Sequence, residues 1–165
     1  MNKWKIKSII KEITIALVLM FIVSNIISYI RAPELGSKQL PQIEVELIDG
    51  TNFSTQKGKP LLIHFWSIHC PTCKLEAPNI ESVSKAYEVL TIAVNSGRDE
   101  EVKTYMQENG LHFRVLNDRD GVWSKTFNIE GFPTTFIYDA KGKLRFTEVG
   151  YTTTAGLLAR LEWIE

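Results

Sequence analysis

The segment Pro60 to Trp66, PLLIHFW, is apolar at nearly every position and follows the turn-like KGKP. This is the pattern of a short strand buried at the centre of a sheet, and such a strand needs covering layers on both of its faces. Just beyond it, in HFWSIHCPTCKLEAP, come the chain's only two cysteines, Cys70 and Cys73. Leu75, Ile80, Val83 and Tyr87 then recur at helical intervals, with Pro78 expected to bend the helix where its missing N–H breaks the ladder. Two thiols at this spacing serve as a small structural staple, as half of a metal clamp, or as a pair that opens and closes during turnover.

The rest of the pattern supports an α/β fold. IEVELIDG alternates before an Asp-Gly turn and TNFST returns from it, which predicts an opening hairpin. EVLTIAVN reads as a second buried strand. SGRDEEVKTYMQENG reads as a helix, with acids in its first turn and a closing Gly110. FRVLND is a strand, GVWSKTF a short helix, and GFPTTFIYD and KLRFTEVG two strands around an AKG turn. TTTAGLLARLEWI closes the chain as a helix with a threonine cap. Strands alternating with helices, then a strand hairpin, predict a central mixed β-sheet with helices on both faces.

With 165 residues and 44% hydrophobic composition, there is room for one ordinary domain with a real core. Charge divides the chain unevenly. Of 19 basic and 19 acidic residues, Lys3, Lys5, Lys7, Lys11 and Arg31 stand against Glu12 alone in the first 31 positions, so the remainder is mildly acidic. Without a basic stripe or an RNA-stacking aromatic motif, no nucleic-acid partner is expected. The lysines precede ITIALVLMFIVSNIISYI, Ile13 to Ile30, which holds no charge, Gly or Pro and is long enough to cross a hydrocarbon core of roughly 30 Å as a helix. SNIISYIRAPELG offers no convincing small-residue cleavage pair, so an uncleaved anchor is expected in preference to a signal peptide. Positive charge ahead of the span places the N-terminus in the cytoplasm and everything from Arg31 onward outside. In a bacterium this makes a single-pass inner-membrane protein with a periplasmic domain, where a disulfide persists. The expected organisation is residues 1–31 as cytoplasmic N-terminus and anchor, 32–42 (RAPELGSKQLPQ without its arginine) as a tether, and 43–165 as the domain.

FWSIHCPTCKLEAP and GFPTTFIYDAKGKL together identify a resemblance. The chain resembles the thioredoxin superfamily, and within it the membrane-anchored TlpA-like thiol-disulfide oxidoreductases, over about residues 40 to 165. NSGRDEEVKTYMQENGLHF, VLNDRDGVWSKTFNIEGFPTTF and GYTTTAGLLARL are more particularly similar to suppressor-of-copper-sensitivity D proteins. The resemblance implies a thioredoxin-like fold. It also implies a cis-proline at Pro133, with Phe132 and Thr134 forming a loop that receives an extended substrate peptide, and a glutamate, Glu76, that exchanges a proton with the buried thiol. The sequence departs from the family at His69, where most relatives have Trp, and at His64, where thioredoxin has a buried Asp. Both histidines are candidates for handling protons.

Position along the helix divides the work of the thiols. Cys70 lies ahead of the helix N-terminus, where N–H groups and the dipole favour its thiolate, so it is expected to attack. Cys73, one turn in, is the resolving thiol. Metal capture, including copper binding, is the alternative, but no further cysteine exists and His64, His69 and His112 show no second-pair spacing. The expected function is therefore extracytoplasmic thiol-disulfide exchange with protein substrates, without a cofactor. The pair is expected to act as a reductant, with a membrane thiol reductase as electron donor.

Overall fold

The computed structural model describes residues 3–165, the side chains of residues 3–8, 17, 21, 24 and 29 excepted. Met1 and Asn2, with which the expected anchor segment begins, lie outside the described residues, as do the side chains of Lys3, Lys5 and Lys7. The chain forms two compact units that divide between Ala32 and Pro33.

The first unit is a single helix, α1 (Lys3–Arg31). Within it Ile9–Ser28, 20 residues of mean hydropathy 2.1, is long and apolar enough to cross a membrane. Its described apolar side chains, among them Ile13, Val18, Met20 and Ile26, are exposed. The hydroxyl of Thr14 donates to the Ile10 carbonyl at 2.9 Å and so meets its hydrogen-bonding need within the helix.

The second unit opens with an antiparallel ribbon, β1 (Glu44–Glu46) and β2 (Asn52–Ser54). Then follow β3 (Leu61–Trp66), α2 (Pro71–Ser84), β4 (Glu88–Val94), α3 (Asp99–Glu108), β5 (Val115–Asp118), α4 (Val122–Thr126), β6 (Thr134–Tyr138), β7 (Leu144–Val149) and α5 (Thr154–Trp163). Five strands form one sheet in the order β5-β4-β3-β6-β7. β3, β4 and β5 run parallel, while β6 and β7 are antiparallel to their neighbours. This is the mixed sheet of a thioredoxin-like fold, with β3 at its centre and every one of its side chains buried.

The covering of the two faces is unequal. Successive right-handed crossovers advancing in one direction along a sheet put their helices on the same face. Accordingly Ala77, Ile80 and Val83 of α2 and Val102 and Met106 of α3 share one core with Leu62 and Trp66, and Leu157 and Leu161 of the closing helix α5 join the same core. The opposite core joins Leu61, Ile63 and Phe65 to Phe53 of the ribbon and to Phe127 at the end of the short α4. Phe65, Phe127 and Phe136 stack there with ring centroids 5.0 to 5.9 Å apart.

Two details depart from the sequence expectation. Leu75, read as part of the buried stripe of α2, is 71% exposed. The stripe actually runs Cys73, Glu76, Ala77, Ile80, Val83, so a carboxyl occupies a core position. Residues 32–42, read as a tether, are docked over much of their length. Leu35 and Leu40 pack on the second core, Leu40 N–H donates to Gly142 O at 2.7 Å, and Leu144 N–H donates to Lys38 O at 2.7 Å. The compact unit therefore begins at Pro33 rather than near Ile43.

Candidate redox site

The loop leaving β3 is fastened before it reaches the first cysteine. Ser67 O accepts from Cys70 N–H at 3.1 Å, and Ser96, fully buried beyond the end of β4, accepts from Ile68 N–H at 3.2 Å. The Ser96 hydroxyl donates to Val94 O at 3.0 Å and lies 3.5 Å from the Ser67 hydroxyl. The loop thus has little slack as it delivers Cys70 to the start of α2.

Cys70 is the N-cap of that helix, in extended conformation, with Pro71 as the first helical residue, where a missing N–H costs nothing. Its sulfur accepts from the backbone N–H of Cys73 at 3.1 Å, in the way a serine or aspartate oxygen would cap the helix. A donor aimed at Sγ and the positive end of the helix dipole both favour negative charge on Cys70 once the pair is reduced. In the structure Cys70 and Cys73 form a disulfide, with Cα atoms 5.2 Å apart. Cys70 is half-buried, whereas Cys73 is 2% exposed.

One turn after Cys73, Glu76 is completely buried. Oε1 accepts from the Thr152 N–H at 2.9 Å, and Oε2 has no hydrogen-bond partner. Burial pushes the carboxyl up to about 8, with the Glu148 charge adding to the rise and the Thr152 N–H opposing it. In the oxidised protein Glu76 is thus an acid holding its proton at neutral pH.

His64 is buried in the middle of β3, where strand alternation places it on the same sheet face as Leu62 and Trp66. Its Nδ1 pairs with the Thr135 hydroxyl at 2.9 Å across the β3–β6 register. Burial pulls the imidazole down to about 3, so His64 is neutral at physiological pH. His69 is exposed in the loop before Cys70. The two histidines are therefore in opposite environments.

The Phe132–Pro133 peptide is cis. Pairing of Phe65 with Thr134 sets the start of β6 beside the end of β3, from which the cysteine loop departs. Phe132 is half-buried and, like Cys70, packs against the core that contains Cys73 and Trp66. Pro133 and Thr134 are buried, and the Thr134 hydroxyl donates to Gly131 O at 2.9 Å. The Pro133 carbonyl accepts from Gly150 N–H at 2.9 Å, linking this loop to the segment that also supplies Thr152.

Among the described residues, no group of three or more His, Cys, Asp or Glu side chains is placed to hold a metal ion. Among the described residues, the reduced thiols would offer two soft ligands with no third His, Cys, Asp or Glu grouped with them.

The sequence profile of the redoxin family matches residues 35–161, which is most of the chain and all of this site. The chain belongs to the redoxin family. This redoxin is 32% identical to a thioredoxin-like protein of Haemophilus influenzae, over 98% of each chain. It is 31% identical to the sporulation thiol-disulfide oxidoreductase A of Bacillus subtilis, over 73% of this chain and 76% of the relative. Among solved structures, a thiol:disulfide interchange protein of the thioredoxin family from Chlorobium tepidum superposes with a TM-score of 0.70 at 27% identity, covering 79% of this redoxin and 98% of that chain. With a Cys-x-x-Cys pair at a helix N-cap and relatives of this kind, the redoxin is a thioredoxin-like protein-disulfide oxidoreductase.

Ser67, Ser96, Asn79, Thr135 and Thr152 also build the site, and none stands out in the sequence. All five act through partners distant in the chain or through backbone groups, so no local pattern marks them.

Proposed function

We propose that Cys70 attacks and Cys73 resolves, with Glu76 taking the resolving proton. The Cys70 thiolate attacks a protein disulfide, forming a mixed disulfide and releasing one substrate thiolate. Cys73 passes its proton to Glu76 in its carboxylate form, attacks the Cys70 sulfur and releases the second substrate thiolate, which is protonated by solvent; Glu76 then returns its proton to solvent before the next cycle. The substrate gains two electrons and the redoxin is left with its disulfide. The observation that carries this reading is the buried Glu76, with Oε2 unpaired and its proton retained to about pH 8, one helical turn from the buried sulfur of the oxidised pair. A carboxyl holding a proton is the state this reaction would leave behind. Phe132, Pro133 and Thr134 are proposed to receive the substrate backbone. His69 is retained as a candidate proton handler at the loop surface, while a neutral His64 serves better as a positioned core group.

The pair is proposed to work as a reductant, re-reduced by a membrane dithiol donor. An anchored pair becomes oxidising when cations stabilise its thiolate, and burial leaves His64 without charge to do so. Phe132, ahead of the cis-proline, has no side-chain donor for the sulfur. Glu76 keeps its proton in the oxidised form and so adds no charge of its own there, and the proposal rests on the neutral His64 and the apolar Phe132. Equilibration with glutathione tests it. A potential at or below about −200 mV is expected, and one near the roughly −120 mV of strong periplasmic oxidants would overturn the direction.

Residues Ile9–Ser28 are proposed to anchor the protein in the bacterial inner membrane, with the compact unit on the periplasmic side, on the strength of their length and the lysines ahead of them. Protease added to spheroplasts should remove the compact unit, whereas its protection would reverse the topology. Copper tolerance is proposed as the physiological setting from the narrower resemblance alone, and unchanged growth of a deletion strain in copper would remove it.

A further inference from the structure

The segment between β7 and α5 is held at three points. Gly150 N–H donates to Pro133 O, Thr152 N–H donates to Glu76 Oε1, and Thr152 O accepts from the Asn79 side-chain amide, each at 2.9 Å. Asn79 takes a second grip, since its Oδ1 accepts from the Thr154 hydroxyl at 2.9 Å. Glu76 and Asn79 stand three residues apart on α2 and so share one side of the helix. The carboxyl touches the N–H of Thr152 and the amide touches the carbonyl of the same residue. Asn79 thus uses both ends of its side chain to fix the one backbone group that solvates a buried carboxyl. A surface asparagine facing a loop needs none of this geometry.

We infer that Asn79 is a positioning residue for Glu76: by clamping Thr152 and Thr154 it keeps the Thr152 N–H aimed at Oε1 and so sets the pH at which Glu76 releases its proton. The inference rests on the proton-accepting role proposed for Glu76. The Thr152 bond favours the ionised carboxylate, so loosening it makes the proton harder to remove. Other charged or titratable groups facing Glu76 are few. Cys73 lies on the same helix, His64 on the sheet face beneath it, and Glu148 of β7 is paired with Arg160 of α5 at 2.6 Å. The bonds of Asn79, to Thr152 O and from the Thr154 hydroxyl, are distinct from the Glu148–Arg160 pair.

The test is the titration of the Glu76 carboxyl in the oxidised full chain, held in detergent micelles and carrying carbon-13 in its glutamate carboxyls. Glu76→Gln identifies the resonance by deleting it. Asn79→Ala is expected to move the titration midpoint upward by about one pH unit, the size of a weakened hydrogen bond to a charged group. Thr154→Val, which removes only the second grip, should move it in the same direction by less, and Thr154→Ser should leave it at the wild-type value. A midpoint unmoved in both Asn79→Ala and Thr154→Val would overturn the inference, and Thr154→Val keeps it falsifiable if Asn79→Ala does not fold. The proposed role of Glu76 fails separately. If Glu76→Gln leaves the pH profile of thiol exchange unchanged, the proton acceptor is misassigned, whatever Asn79 does to the carboxyl.

Discussion

Oε1 of Glu76 accepts the backbone N–H of Thr152 at 2.9 Å, while Oε2 of the same carboxyl faces the interior without a partner. One bond does not replace the hydration of a carboxylate, so burial dominates and the group keeps its proton to about pH 8. His64 carries the opposite debt to burial, held neutral down to about pH 3.

These two shifts act on stability in opposite directions as pH changes. For Glu76 the unfolded chain, with an ordinary value of 4.5, binds fewer protons than the folded one between there and about 8, so stability falls as pH rises through that window. For His64, whose ordinary value is 6.5, the unfolded chain binds more protons between about 3 and 6.5, so stability falls as pH drops through that window. Where the windows overlap, the two slopes oppose. Thermal unfolding of the oxidised protein should therefore be nearly flat in Tm between about pH 4.5 and 6.5 and should decline on either side. Glu76→Gln should abolish the alkaline decline and spare the acid one. A wild-type Tm that climbs from pH 6.5 to 8 would contradict the placement of Glu76.

On α2, Leu75 and Ile80 should respond in opposite ways although both are apolar and both fit a helical spacing. Ile80→Ala empties a fully buried site and should cost about 2 to 5 kcal/mol in denaturant unfolding. Leu75→Lys alters an exposed position and should stay within about 0.5 kcal/mol. A large loss for Leu75→Lys would mean that the helix is rotated relative to this structure.

That contrast shows where the sequence was legible. Strand and helix positions followed from runs such as PLLIHFW and from the Thr153 cap, because period and capping are local properties. On α2 the expectation for Ile80 and Val83 held and only Leu75 differs, because a buried glutamate, Glu76, takes the core position and Leu75 is the better match to a hydrophobic pattern. Docking of residues 33–42 was hidden because it depends on main-chain bonds to Lys143 and its neighbours, far along the chain. The cysteines, Glu76 and the cis-proline were legible through motif resemblance. Thr135, Ser96, Asn79 and Thr152 were not, since each acquires its role only when strands pair or a loop returns.

Ser96 offers a check on the loop that presents Cys70. Removing its hydroxyl leaves the Ile68 N–H without its acceptor, which should cost about 1 to 3 kcal/mol. Hydrogen exchange at the Ile68 amide should accelerate in Ser96→Ala more than exchange in the β3 core. Equal acceleration at both places would mean that Ser96 supports the sheet rather than the loop.

The assignment of Cys70 as attacking thiol and Cys73 as resolving thiol is tested most directly by trapping a mixed disulfide with a disulfide-bonded protein substrate. The full chain is reduced, mixed with that substrate, quenched in acid and separated without reductant. Cys73→Ser should accumulate a covalent complex that dithiothreitol releases, and Cys70→Ser should form none above background, since its remaining thiol is buried. A complex that accumulates with Cys70→Ser and is missing with Cys73→Ser would contradict the assignment.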